Sequence, residues 1–264
     1  MPFPQYPKKY DQEVIITPKQ HLHAEREDYE RFHVPKSVIL CFEAYVMEHY
    51  KQLPNTKHET FWTGEVIYLL DTDKEIAIVG NFGIGGPAAG HMLEILIAAG
   101  VENFVVVGHA GGLQKSNPIG SLVLCDKAVR DEGLSHHYLP PDKYAYPSSA
   151  LSTALERQLT KADIPYARGS SWTIDSMYRE TKEEINHYAQ EGIATVEMEL
   201  ASLFAVATFR QVQIGALLVI SDYVAFEDWV EHLHSNTTTN ALFRAVEVTK
   251  TVLQGLDRAD RIIE

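Results

Sequence analysis

Glu75-Ile-Ala-Ile-Val-Gly80, Gly83-Ile-Gly-Gly-Pro87, the apolar run from Ala88 to Gly100 and Asn103-Phe-Val-Val-Val107 follow one another along the chain. Their reading decides the fold. The first and last are short apolar runs bounded by turn residues, the pattern of strands buried in a parallel sheet. Pro87 suits the first turn of a helix, where its missing N–H would find no partner anyway. Gly100 suits a left-handed stop. Strand, helix and strand in this order make a β-α-β unit, and the chain is read as α/β.

Upstream, Glu65 to Leu70 reads as a strand joined to Glu75–Gly80 by a turn over Asp71 to Lys74. Val38, Leu40, Phe42, Val46 and Met47 recur at helical spacing and predict a helix from about Val34 to Tyr50, followed by a loop over Lys51 to Lys57. Val14-Ile15-Ile16 reads as a short strand, and the proline-spaced, aromatic Met1 to Tyr10 as an arm laid over its own domain or a neighbouring subunit.

Downstream, Gly108-His-Ala-Gly-Gly112 reads as a second glycine-rich turn at the same sheet edge. Ser121–Cys125 is the next strand, Arg130–Tyr138 a polar segment, Leu151–Ala162 an amphipathic helix and Tyr166–Trp172 a strand. Thr173–Glu180 reads as a loop rich in functional groups. Gly192–Asp222 reads as strand, helix and strand, and Thr237–Leu253 as a closing helix. One domain over residues 1–264 is expected, with residues 1–60 an N-terminal extension packed on it.

The bulk numbers restrict the partners. Lys and Arg total 23 against 36 Asp and Glu, a net charge of -13 that repels a phosphate backbone and argues against nucleic acid. No apolar run reaches the roughly 18 residues needed to span a bilayer. Cys41 and Cys125 lie in apolar surroundings without a CxxC spacing, as thiols of a reducing compartment do. The opening residues lack the apolar core of a signal peptide, and a cytoplasmic location is expected.

The chemistry concentrates in Gly192–Asp222. Glu197 and Glu199 flank Met198 at a strand-to-helix junction, and Asp222 ends a buried strand. Singly, each carboxylate has a bland reading as a helix start or a strand cap. Gly83-Ile-Gly-Gly-Pro-Ala88 matches the dinucleotide fingerprint in form, but the next strand ends Val107-Gly108-His109 where an acid should hold the ribose. His136-His137, His232-x-His234 and His21-x-His23 have no HExxH or cysteine partner, so no metal is expected. Two glycine turns at one edge make a backbone anion or carbohydrate site instead.

In combination, Gly83-Ile-Gly-Gly-Pro87, Gly108-x-x-Gly111-Gly112, Ile119-Gly120-Ser121, Arg130-x-Glu132-Gly133-x-Ser135, Val196-Glu-Met-Glu199 and Ser221-Asp222 resemble the nucleoside phosphorylases. The branch with uridine phosphorylase, bacterial purine nucleoside phosphorylase and the related nucleosidases is the one resembled, over roughly residues 60 to 253. The Gly108–Gly112 segment and Arg130-Asp131 are also similar to AMP nucleosidase.

The resemblance implies a three-layer α/β/α domain with a mixed, partly barrel-like central sheet and cleavage of a nucleoside's ribose–base bond. It assigns Glu199 to the ribose hydroxyls, Met198 to the sugar face and Asp222 to proton donation to purine N7. Trp172, Met177 and Tyr178 become the wall beside the base. Uridine phosphorylases usually lack that aspartate and read uracil through a Gln and Arg insert with no counterpart after Tyr178, so a purine is expected.

The departures concern the acceptor. Thr17-Pro18-Lys19 stands for the family's Gly-Asp-Pro-x-x-Arg turn, and Val106 and Glu59 for its two further arginines. The hydrolytic members' glutamate-rich turn after the first strand has no evident counterpart either, Glu25 and Glu27 lying too far along. Gly85, Gly86, His109 and Lys19 are the remaining candidates for an acceptor site. Phosphorolysis to free base and ribose 1-phosphate is the leading expectation, with phosphate as co-substrate and no other cofactor. Hydrolysis is the alternative, and a non-catalytic nucleoside-binding protein a third. A homo-oligomer, a dimer or trimer of dimers, is expected.

Overall fold

The structure is a computed structural model that describes residues 6, 9–24, 33–61, 64–72, 75–224 and 229–260. Glu25 and Glu27, most of the opening arm and the end of the turn at Asp73-Lys74 lie outside the described residues.

Among the described residues eleven strands form one sheet. Its open half runs β2 (Thr56–Phe61), β3 (Gly64–Leu69), β4 (Ile76–Gly80), β1 (Ser37–Cys41) and β5 (Asn103–Gly112). The closed half continues from β5 through β9 (Thr195–Glu197), β8 (Tyr166–Ile174), β6 (Leu122–Asp131) and β10 (Gln213–Tyr223). β10 then pairs back onto β5, which closes a five-stranded mixed barrel inside the larger sheet. Two short strands, β7 (Tyr144–Ala145) and β11 (Val230–Glu231), pair with β6 and β10.

Alternation along the strands explains the layers. In β1, Val38 and Leu40 face one core with α3 (Gly86–Ala99) and α7 (Leu200–Arg210). Ile39 and Cys41 face the other, with α2 (Ala44–Lys51), α5 (Ser149–Lys161) and α8 (Asn236–Asp260). A strand buried on both faces is apolar throughout, and both sides here are covered by helices. The expected three-layer α/β/α architecture with a partly barrel-like sheet is the one observed.

Several local readings change. The helix expected from Val34 is a strand up to Cys41 and a helix from Ala44, because an unbroken apolar run carries no period that separates the two forms. β1 lies between β4 and β5, so residues 37–60 supply central sheet and flanking helix. Val14, Ile15 and Ile16 are not in a strand and are 54%, 93% and 74% exposed. They precede a short helix, α1 (Pro18–Ala24), which packs on α3.

Gly108–Gly112 is no turn: β5 runs straight through it. The glycines are needed for closeness, since a Cβ on Gly112 would lie 3.0 Å from both Ile220 and Tyr223 of β10. The Thr173–Glu180 loop is likewise shorter than expected, β8 reaching Ile174 and a single 3-10 turn occupying Met177–Arg179. The helix α6 (Lys182–Gln190) is additional to the expected elements and starts at a capping box formed by Thr181 and Glu184. Gly100 does end α3 in the left-handed conformation, with φ 118° and ψ 9°.

Candidate active site

β1, β5 and β10 run parallel, and their carboxyl ends open into one cavity of about 470 Å³, a volume suited to a small organic ligand. Glu199, Met198, Asp222, His109, Met177 and Tyr178 all line it.

One end of the cavity is built at the β9–α7 junction. Glu197 ends β9 and turns inward, where its carboxylate accepts from the N–H groups of Glu199 at 2.7 Å and Leu200 at 2.6 Å. The hydroxyls of Ser171 and Thr173 donate to its other oxygen. Glu197 thus satisfies the open first turn of α7 and holds the next glutamate in place. Glu199 accepts from the Gly85 N–H at 2.6 Å and from the Met198 N–H at 3.2 Å. Burial, then the neighbouring Glu197 charge, pushes the Glu199 carboxyl up to about 8.

Gly85 sits at the N-cap of α3 with φ 86°, a conformation that favours glycine. The following Gly86 is packed from behind: a Cβ there would lie 2.3 Å from Ser202 Oγ. Ser202 in turn donates to Glu132 at 2.6 Å. Arg130 completes this support, its guanidinium donating to Ser135 Oγ and to the carbonyls of Ser135, Leu139 and Pro140. The Arg130-x-Glu132-Gly133-x-Ser135 motif therefore braces the α3 turn from outside the cavity.

At the other end the β5–β10 register slips between Ile220 and Asp222, an irregularity of the kind that re-aims side chains beside active sites. Asp222 is mostly buried and accepts from Ser221 Oγ at 2.7 Å and from Trp229 Nε1 at 2.8 Å. Glu180 also lines this end, and its carboxyl is pushed up to about 7 by burial and then by the Asp222 charge.

The third part was not found in the sequence. Because the first strand is β1, the turn after it is Phe42-Glu43 rather than Thr17-Pro18-Lys19. Glu43 lines the cavity at the N-cap of α2, accepts the His109 N–H at 2.9 Å, and lies 3.4 Å from His109 Nδ1. Burial pushes its carboxyl up to about 6. His109 is held down to about 4 by burial and by nearby His234, which leaves the imidazole neutral at pH 7. A carboxylate therefore does follow the first strand, at Glu43.

Four expected site residues are not among those lining the cavity: Gly85 and Gly86 at the start of α3, Trp172 and Lys19. Trp172 is fully buried behind the wall, its ring centroid 4.6 Å from that of Tyr188 and its Nε1 donating to Asp131. Lys19 is exposed on α1 and is not among the residues lining the cavity. Glu59 accepts from Tyr68 in the β2–β3 hairpin, also away from it. Among the described lining residues there is no Lys or Arg, and no metal-binding cluster occurs among the described residues. No helix described is long and apolar enough to cross a membrane.

Comparison with known proteins places this arrangement. The chain is 30% identical over 187 residues to uridine phosphorylase of Treponema pallidum, covering 66% of this chain and 72% of that protein. It is 27% identical over 216 residues to the DeoD-type 1 purine nucleoside phosphorylase of Shewanella oneidensis, covering 81% and 87%. The crystal structure of purine nucleoside phosphorylase from Toxoplasma gondii superimposes with a TM-score of 0.77 at 17% identity, over 86% of this chain and 93% of that one. The model of the phosphorylase superfamily matches residues 38–254, and the chain belongs to that superfamily of nucleoside-cleaving enzymes.

Proposed function

We propose that the protein cleaves the N-glycosidic bond of a purine nucleoside and uses water as the acceptor. One observation carries the choice of water. Of the backbone N–H groups expected at the acceptor site, those of Gly85 and His109 already donate to carboxylates of the chain, Glu199 and Glu43. A phosphate dianion entering here would displace one of them and meet the ionised Glu43 with no described cation beside it.

The chemistry follows from the charges that develop. As the bond breaks, the ribose becomes cationic and the base anionic, so the site must stabilise opposite charges at its two ends. Glu199 accepts from the ribose hydroxyls, and Met198 packs on the sugar. Asp222 protonates the departing base, N7 being the basic ring position a purine offers. Glu43, largely ionised near neutral pH, takes the proton of the attacking water. Glu180 faces the base with a carboxylate that suits ring N–H donors.

Phosphorolysis is the second reading, favoured by the phosphorylases among the relatives. One assay separates the two. Inosine, guanosine, adenosine and uridine are incubated with and without phosphate, and ribose and ribose 1-phosphate are quantified. Phosphate-independent ribose is the expected product. Ribose 1-phosphate formed in strict dependence on phosphate would establish the second reading, and saturable binding without any product would make the protein a nucleoside-binding module.

A further inference from the structure

A chain of polar contacts reaches Glu43 from outside the cavity. The Tyr45 hydroxyl lies 3.2 Å from His109 Nε2, and His109 Nδ1 lies 3.4 Å from Glu43 Oε1. Each link has a direction. An ionised Glu43 can only accept, so the neutral imidazole carries its hydrogen on Nδ1, facing that carboxylate, and Nε2 accepts from the Tyr45 phenol. Oε1 collects that donor and the His109 backbone N–H. Oε2 has the Cys41 thiol at 3.8 Å, a weak donor.

We infer that Tyr45 and His109 are positioning residues for the acceptor: they fix the Nδ1–H tautomer, saturate Oε1 of Glu43 and leave Oε2 to take the proton of the attacking water. The inference rests on the hydrolytic reading. In the step, a water O–H bond breaks, its proton goes to Oε2, and its electron pair forms the bond to ribose C1′. The C1′–N bond breaks with its electrons going to the base, which takes a proton from Asp222. Solvent then returns the proton from Glu43 to Asp222, and the sum is nucleoside plus water to ribose plus base.

The ionisable groups around Glu43 are Cys41 from β1, Tyr45 from α2, His109 from β5, Glu199 from the β9–α7 junction and His234 ahead of α8, beside the Tyr45 ring. Loss of the relay removes one donor from Oε1 and makes the carboxylate more basic.

The test uses Tyr45→Phe, His109→Ala and His109→Gln, with thermal unfolding to confirm that each is folded. Carbon-13 NMR of labelled glutamate follows the titration of Glu43 without turnover, and pH–rate profiles follow kcat and KM. Tyr45→Phe and His109→Ala are expected to raise the proton affinity of Glu43 by about tenfold. The acid limb of kcat should move to higher pH in step, with KM little changed. His109→Gln, whose amide N–H can donate to Oε1, should restore much of the wild-type limb. Unchanged Glu43 titration in both Tyr45→Phe and His109→Ala overturns the relay while hydrolysis stands. Base release that requires phosphate in the wild type overturns the hydrolytic reading and the role of Oε2 with it.

Discussion

Glu199 accepts the backbone N–H of Gly85 at 2.6 Å, a bond that ties the start of α7 to the start of α3 across the cavity floor. Its carboxyl is pushed up to about 8 and is largely protonated at pH 7. Ribose hydroxyls that donate to it favour the ionised form. Nucleoside affinity is therefore expected to rise from pH 6 to about 8 and then level, measured by calorimetric titration of an uncleaved analogue. Glu199→Gln should flatten that profile and lower kcat/KM by roughly 100-fold.

Asp222 is expected to act at the base end alone. Asp222→Asn should reduce kcat by about 100- to 1,000-fold with a smaller change in KM. Trp229→Phe removes the indole donor 2.8 Å from Oδ2 and is expected to lower kcat by about tenfold with KM little changed, the carboxyl losing the bond that orients it. Wild-type kcat in Trp229→Phe would show that this hydrogen bond has no influence on the acid.

Glu180 supplies a test of base preference. Glu180→Gln replaces a pure acceptor with a group that both donates and accepts. The guanosine-to-adenosine ratio of kcat/KM is expected to fall by about tenfold, since guanine presents adjacent ring-edge donors and adenine does not. A ratio that stays constant would remove Glu180 from base recognition.

Stability should fall as pH rises. Glu43, Glu180 and Glu199 have folded values of about 6, 7 and 8 against an ordinary 4.5, so the folded protein binds more protons between pH 4.5 and 8. Their contribution is fullest below 4.5 and declines up to about 8. His109, held at about 4 against 6.5, acts in the other direction and costs stability as pH falls through that interval. The unfolding temperature of the ligand-free protein is expected to be lower at pH 8.5 than at pH 6, and Glu199→Gln should reduce the difference.

Gly86 tests the bracing of the α3 turn. A methyl group there would meet Ser202 Oγ at 2.3 Å and Cβ at 3.1 Å, and Ser202 is buried on a core helix. Gly86→Ala is expected to destabilise the fold by about 1–3 kcal/mol in chemical denaturation, and Gly86→Ala with Ser202→Gly to recover part of it. Wild-type stability in the single variant would mean that α7 yields at no cost.

The β-α-β unit was legible because Pro87, Gly100 and the two flanking apolar runs agree at every level of reading. Glu199 and Asp222 were legible as a pair because motif order carries information that neither carboxylate has alone. Glu43 was not. Its recognition depends on which strand comes first, and the apolar Val38–Phe42 run has no periodicity that favours strand over helix. Lys19 was drawn toward the site by the same shift. Trp172 was misplaced for another reason: a strand's residues alternate between faces, and the local sequence does not say which face meets the cavity.

The seam between β5 and β10 joins residues 103–112 to residues 213–223, about a hundred positions later in the chain. Asp222 belongs to one side of that seam and His109 to the other. During synthesis β10 leaves the ribosome about a hundred residues after β5, and distant pairings of this kind form late and slowly. A nascent or truncated chain that ends before β10 can hold a folded β-α-β unit yet has neither a closed barrel nor the acid end of its cavity. Catalytic competence in this protein therefore marks completion of the fold, and no fragment stopping short of β10 should acquire it.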